Sequence, residues 1–227
     1  NLSHDLDPLV LASGDIVFSR WNNTATDHIS LFRIKPSGSE LSPLYGFHSQ
    51  NSGSDGSAIE FTQVRELDDG RLASLIKPFA TATFGGNIVL IDSDNYVDNE
   101  QPTWGNQGMA GNGQQALTST EMRTDELVSA GGQFGSLYPL RDGSGRLLVT
   151  WSECRVIGAA GRFLPCSLEP DNPLSAPPLY GAWIYDPAAN TQRPVVLAEE
   201  GFMITEIIAA EPRDFPRLAS QSLDYNA

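Results

Sequence analysis

The sequence predicts an all-β protein built from propeller-type blades. Three observations lead to this fold class: turn-forming residues are abundant, apolar runs are short, and one strand–turn–strand unit occurs three times. The 227 residues include 21 Gly and 15 Pro, a composition that disfavours long helices. Hydrophobic residues make up 40% of the chain, which is enough to form a core and too much for a disordered chain.

The first piece of the repeated unit is a Gly turn followed by an apolar strand. Its three copies are LASGDIVFSRW (11–21), LDDGRLASLIK (67–77) and LRDGSGRLLVTW (140–151). Gly14, Gly70 and Gly145 supply the positive φ that a tight turn requires. Each copy therefore predicts a β-hairpin.

The second piece is a short apolar strand that ends in a polar turn. Its copies are ISLFRIKPSG (29–38), NIVLIDSDN (87–95) and AWIYDPAAN (182–190). A further strand follows the first and third copies, at 41–47 and 193–199. The resulting order of strands is a four-stranded antiparallel meander, which is the form of one propeller blade.

We therefore expect about three blades in a partial β-propeller over residues 1–206, followed by an extended tail or linker over 207–227. The blades are placed at about 5–47, 59–120 and 134–206. Residues 99–115 and the loop from Cys154 to Pro178 are interpreted as insertions, which lengthen a loop at little entropic cost. Residues 116–132 fit either a short helix or an irregular strand.

The turn-plus-strand pieces resemble the PD40 repeats of TolB-type propellers. LDDGRLASL and LRDGSGRLLVTW match best, and LASGDIVFSRW matches with Asp15 in place of a basic residue. The chain is also similar to the propeller segment of proteins related to the hydrazine synthase alpha subunit. The resemblance implies a propeller over roughly residues 4–200. In that family the propeller can accompany c-type haem domains, but no CxxCH motif occurs here, so haem is not predicted.

Three blades do not close a ring, because propellers typically have about 4–8 blades. An open arc leaves unpaired strand edges. We therefore expect the remaining blades to come from the same polypeptide, from another chain or from a second copy. The first residue is Asn1 rather than Met, which suggests a processed protein or a piece of a longer one.

The net charge limits the classes of partner that we expect, and the two cysteines indicate the cellular compartment. The formal net charge of −14 disfavours nucleic acid and anionic membranes as partners. No apolar run reaches the roughly 18 residues of a membrane span. Cys154 and Cys166 are interpreted as a disulfide that closes a short loop, with two free buried thiols as the alternative. The disulfide predicts an extracytoplasmic, periplasmic or secreted protein.

Two features are candidate binding sites. Asp92, Asp94 and Asp98 lie in IDSDNYVDNE (91–100), whose spacing partly resembles a calcium loop. It lacks the Gly and the distal Glu of an EF-hand, and a solvated turn is the alternative. Trp104 lies in the Gly/Asn-rich insertion, where an exposed indole is a possible ligand contact for a sugar or a protein partner.

No catalytic motif is present, and none of the three histidines lies in a metal-binding pattern. Calcium is therefore the only cofactor considered. We expect a non-catalytic scaffold or a binding surface for a protein or small ligand. The alternative is part of a larger redox or carbohydrate-active enzyme whose active site lies at the propeller axis or in a neighbouring domain.

Overall fold

The computed structural model describes residues 3–23, 27–79, 84–212 and 214–217. In these residues the regular structure consists of strands and four 3-10 helices of three residues each, without an α-helix. None of the helices in the described ranges is long and apolar enough to cross a membrane. The strands are β1 (Ser3–Val10), β2 (Ile16–Asn22), β3 (His28–Ile34), β4 (Ser42–Tyr45), β5 (Ile59–Glu66), β6 (Leu72–Pro78), β7 (Asn87–Ile91), β8 (Tyr96–Asp98), β9 (Gln101–Pro102), β10 (Gln114–Ala116), β11 (Gln133–Pro139), β12 (Leu147–Ser152), β13 (Arg155–Ile157), β14 (Phe163–Pro165), β15 (Gly181–Asp186) and β16 (Thr191–Val196).

Twelve of these strands form three four-stranded sheets, which confirms the predicted all-β class with blade-like sheets. Sheet I is ordered β1-β2-β3-β4, sheet II β5-β6-β7-β10 and sheet III β11-β12-β15-β16. All neighbouring strands in them are antiparallel. β10 is the fourth strand of sheet II, which the sequence pattern did not reveal because it follows a long insertion. Residues 117–132 form neither of the two elements considered for them and connect sheets II and III as a loop.

Sheet II is buried on both faces because its side chains alternate between two hydrophobic cores. Leu72 and Ile76 of β6 belong to the core shared with sheet I. Ala73 and Leu75 belong to the core shared with sheet III. This alternation follows from the two-residue period of a strand. A fully buried Leu such as Leu75, 1% exposed, contributes about 2 kcal/mol.

The first strands of the three sheets follow one another and carry β-bulges at similar positions. β5 lies between β1 and β11 and contacts both; we call these three strands the inner strands. The register shifts between Leu6 and Leu9, between Thr62 and Arg65, and between Phe134 and Ser136.

Three bulge residues form a hydrogen-bonded chain across the inner strands. The Gln63 N–H donates to Asp7 Oδ2 at 3.3 Å, and Gln63 Nε2 donates to the Gly135 carbonyl at 3.2 Å. Asp7 and Gln63 have positive φ values of 51° and 49°, a conformation that costs about 1–3 kcal/mol for residues other than Gly. The chain links the three inner strands.

Sheets I and III each have one face that points away from sheet II. On sheet I, Phe18 and Phe32 stack with ring centroids 6.4 Å apart. The Arg20 guanidinium lies 5.3 and 5.1 Å from these rings and donates two hydrogen bonds to Asp5, at 2.6 and 2.9 Å. The bonds to Asp5 raise the pKa of Arg20, and its side chain shields the ring pair. On sheet III, register and alternation place half-buried Leu148 and Ile184 on the outer face.

After β16 the chain crosses all three sheets without forming a further strand in the described residues. Its polar contacts are Arg155–Glu200, Arg65–Glu206 at 3.5 Å, the Arg141 N–H to Glu211 Oε1 at 2.9 Å and the Arg217 N–H to the Ala12 carbonyl at 2.9 Å. This extended segment therefore ties the sheets together.

Candidate functional site

Two insertions build two clefts on the sheet framework. The first insertion, residues 92–113, joins β7 to β10 and contains the β8–β9 hairpin. The second, residues 153–180, joins β12 to β15 and contains the β13–β14 hairpin. We name the clefts beside them the rim cleft and the disulfide cleft.

The rim cleft lies where the first insertion returns along sheet I. The Gly46 N–H donates to the Val97 carbonyl at 3.0 Å, which fixes β8 beside the end of β4. The resulting cavity has a volume of about 350 Å³ and is lined by His48, Ser49, Asn51, Ser52, Asp98, Asn99, Glu100 and Gln101. Every one of these side chains is able to form hydrogen bonds.

Asp98 organises the floor of the rim cleft. It is buried, and its Oδ1 accepts hydrogen bonds from the His48 backbone N–H at 2.7 Å and from Ser49 Oγ at 2.9 Å. Ser49 Oγ in turn accepts the Asn99 N–H at 2.8 Å. A buried carboxylate is stabilised by such donors. The network therefore holds the loop after β4 against the first insertion.

The same residues do not form a Ser–His–Asp triad. Ser49 is buried and donates its proton directly to Asp98, whereas the Ser of a Ser–His–Asp triad donates to an imidazole that acts as its base. The His48 ring instead packs edge-on against Phe47, with centroids 5.0 Å apart. The geometry supports binding rather than acyl transfer at this cleft.

A second hydrogen-bonded pair connects the cleft to the core. Tyr45 Oη donates to Gln114 Oε1 at 3.2 Å, and Gln114 Nε2 donates to Ser52 Oγ at 2.9 Å. Burial, and secondarily the negative charge of Asp98, raise the pKa of Tyr45 well above its ordinary value. Tyr45 therefore stays a neutral donor at physiological pH.

The three predicted calcium ligands lie in different surroundings. Both carboxylate oxygens of Asp92 accept hydrogen bonds from Asn95 Nδ2, at 3.0 and 2.8 Å. Asp94 is exposed, and Asp98 faces the rim cleft. Among the described residues, no three His, Cys, Asp or Glu side chains are grouped so that they could hold a metal ion. Calcium binding stays a prediction of the sequence.

Trp104 lies in the turn that follows the rim-cleft residues Asp98 to Gln101 in the sequence. Its side chain is 88% exposed. The turn is nevertheless held in place: the Thr103 N–H donates to the Asn95 carbonyl at 2.7 Å, and Asn106 Nδ2 donates to Asn95 Oδ1 at 3.1 Å and to Thr103 Oγ1 at 2.9 Å. An exposed indole on an anchored turn is available for stacking on a ligand.

The disulfide cleft lies beside the second insertion. Cys154 and Cys166 are joined in a disulfide with their Cα atoms 5.5 Å apart. The neighbouring cavity has a volume of about 480 Å³, and its walls include Glu126, Glu153, Ile157, Ala176, Pro177 and Pro178. Arg155 also lines it, but the guanidinium is engaged with Glu200, the Pro177 carbonyl and the Phe163 ring.

The loops that wall the two clefts interlock between them. The Ser54 N–H donates to Thr124 Oγ1 at 2.8 Å, and the Thr124 N–H donates to Ser54 Oγ at 3.1 Å. Arg123 pairs with Asp55 at 2.6 Å and with Asp125, and its hydrogen bond is the main cause of the lowered pKa of Asp125. The contact ties the loop beside the rim cleft to the loop beside the disulfide cleft.

Sequence reasoning missed His48, Ser49 and Gln114 as members of a site. His48 and Ser49 lie in the loop after β4, whereas Gln114 lies in β10. Together they form no motif, so the richness of this loop and of the first insertion in Ser, Asn and Gln was the only available signal. Comparisons with protein-family models, with curated proteins and with solved structures find no match.

Proposed function

We propose that this protein is a non-catalytic, extracytoplasmic scaffold of propeller-type blades that binds a ligand at its insertions. One observation carries the proposal: both insertions form clefts, and hydrogen bonds between Ser54 and Thr124 tie together the loops beside these clefts. Loops on a rigid sheet framework are where propeller-type folds place their binding residues.

The blades are, in this proposal, PD40/TolB-type repeats. The Gly turns at Gly14, Gly70 and Gly145 support this assignment, because all three adopt positive φ between the first and second strands of a four-stranded sheet. The Cys154–Cys166 disulfide supports an extracytoplasmic location, since disulfides persist in oxidising compartments.

Further blades are proposed to cover the outer faces of sheets I and III. Sheet II, with a neighbour on both sides, buries both of its faces, whereas the terminal sheets each have only one such neighbour. The outermost strand of sheet III exposes Val195 and Val196 by 55% and 51%. Exposed apolar strands of this kind promote association.

Size-exclusion chromatography with light scattering tests this proposal. Without other blades, the chain is expected to self-associate as its concentration rises. Ile184→Arg, on the outer face of sheet III, should abolish association because it would bury an unpaired charge. Leu41→Arg, in an exposed loop, serves as the matched control and should leave association intact. The proposal is contradicted if the wild-type chain is still monomeric at about 100 μM, which is about 100 times a Kd of 1 μM.

A second assay tests the proposal that the protein is non-catalytic. Ser49→Ala removes the hydroxyl that bonds Asp98 and should lower stability by about 1–3 kcal/mol, because a buried carboxylate loses a donor. If purified wild-type protein hydrolyses esters or glycosides and Ser49→Ala loses that activity while remaining folded, the rim cleft is catalytic and the non-catalytic part of the proposal is wrong.

A further inference from the structure

The lining of the rim cleft selects for a particular class of ligand. Pockets for drug-like molecules are mainly apolar with a few polar groups. All eight side chains of the rim cleft carry hydrogen-bonding groups. Such a lining offers many donors and acceptors, and a ligand must offer a comparable density of polar groups.

The lining also combines groups that only accept hydrogen bonds with groups that both donate and accept them. Carboxylates such as Asp98 and Glu100 only accept hydrogen bonds when ionised, whereas the amides of Asn51 and Gln101 both donate and accept. A hydroxyl group donates one hydrogen bond and accepts others, so it satisfies both kinds. An anionic ligand would meet two carboxylates in a chain whose net charge is −14, which opposes its binding.

The floor of the cleft is ordered by hydrogen bonds before any ligand binds. Asp98 Oδ1, Ser49 Oγ and Asn99 N–H are fixed by the floor network at 2.7–2.9 Å. Asn51, Glu100 and Gln101 are exposed at the mouth. Fixed groups lose little conformational entropy on binding, which favours recognition of a weakly binding neutral ligand.

Trp104 adds an apolar surface close to this polar lining. It follows Gln101 by three residues, which limits the distance between their Cα atoms to about 11 Å. The indole is 88% exposed on an anchored turn. Sugar rings present hydroxyl groups at their edges and C–H groups on their faces, and an aromatic face is a natural partner for the latter.

We infer that the rim cleft and Trp104 together bind an uncharged oligosaccharide, with hydroxyl groups in the cleft and one ring stacked on the indole. This inference rests on the proposed binding function, since it names the ligand class of one of its two clefts.

A binding experiment with defined sugars tests the inference. The full chain is titrated with neutral gluco-, xylo-, manno- and N-acetylated chito-oligosaccharides, and Trp fluorescence and heat are recorded. At least one series should bind. Trp104→Ala and Gln101→Ala should each weaken its binding by about tenfold, since each removes roughly 1.4 kcal/mol.

Two control variants keep the test specific. Phe163→Ala removes an exposed aromatic from the other insertion, and Gln107→Ala removes an exposed amide outside the cleft. Both should bind like wild type. Absence of binding in all four series overturns the oligosaccharide inference. The proposed scaffold function fails separately, in the association experiment with Ile184→Arg.

Discussion

At the scale of single residues, close backbone approach places stricter demands on the sequence than apolar character does. Gly86 lies where sheets II and III meet: its N–H donates to the Phe134 carbonyl and its own carbonyl accepts the Phe134 N–H, both at 2.9 Å. A Cβ added at Gly86 would lie 2.0 Å from the Ile76 carbonyl oxygen. This contact is with backbone and cannot be relieved by a rotamer change.

We therefore predict that Gly86→Ala destabilises the protein by about 3 kcal/mol or more, at the upper end of overpacking effects. Urea denaturation measures the change. Gly105→Ala is the matched control, because a Cβ there meets no atom within 4 Å and φ is not in the left-handed region; it should change stability by less than about 1 kcal/mol. Equal effects of the two substitutions would show that Gly86 does not approach the backbone of β6 as described.

At the scale of elements, the disulfide stabilises one hairpin rather than the sheets. The Cys166 N–H donates to the Cys154 carbonyl at 3.0 Å, so the crosslink closes the base of the β13–β14 hairpin. Val156 of this hairpin is fully buried. Loss of the crosslink should therefore loosen one wall of the disulfide cleft.

Reduction is predicted to lower stability by about 3 kcal/mol, the chain-entropy value for a loop of this size. The melting temperature should fall by roughly 6–12 °C, and hydrogen exchange should increase most strongly over residues 155–165. The Cys154→Ser/Cys166→Ser double variant is the control and should not respond to reductant. An unchanged melting temperature on reduction of the wild type would mean that the disulfide adds no stability.

Elements with a local signal were predictable from the sequence, and elements that depend on distant partners were not. The Gly turns and the strands beside them follow from turn chemistry and β-branched residues. β10 has only three residues, Gln114–Ala116, and none of them favours a strand; it forms because β7 offers an unpaired edge. The rim cleft likewise depends on the meeting of His48 and Asp98, fifty residues apart in the chain.

At the scale of the whole molecule, sheet II couples the two cores. Phe61 is fully buried between sheets I and II, where it meets Tyr45 edge-on at 5.7 Å. Leu137 is fully buried between sheets II and III. Because β6 and β7 contribute to the packing on both sides, neither core can separate without exposing apolar surface of sheet II.

We predict that the protein unfolds in one common transition. Phe61→Ala and Leu137→Ala should lower its free energy of unfolding by about 3–5 and 2–5 kcal/mol respectively. Calorimetry, with circular dichroism and Trp fluorescence as separate probes, checks whether the transitions coincide. Leu41→Ala, in an exposed loop, is the control and should shift the transition by less than about 0.5 kcal/mol. Two resolved transitions, each sensitive to only one variant, would show that the cores unfold independently.

The bulges of the inner strands also fix how neighbouring sheets are aligned along the strand direction. Asp7 and Gln63 each lie seven residues before the turn glycine that follows them, Gly14 and Gly70. The hydrogen bonds from Gln63 to Asp7 and Gly135 connect neighbouring sheets at the bulges. Alignment between neighbours is thus encoded locally, within each unit. A second copy of sheet II placed in tandem would carry its own bulge residue and would therefore align with its neighbour in the same way. Further sheets could thus be added by duplicating a single unit, as gene duplication does.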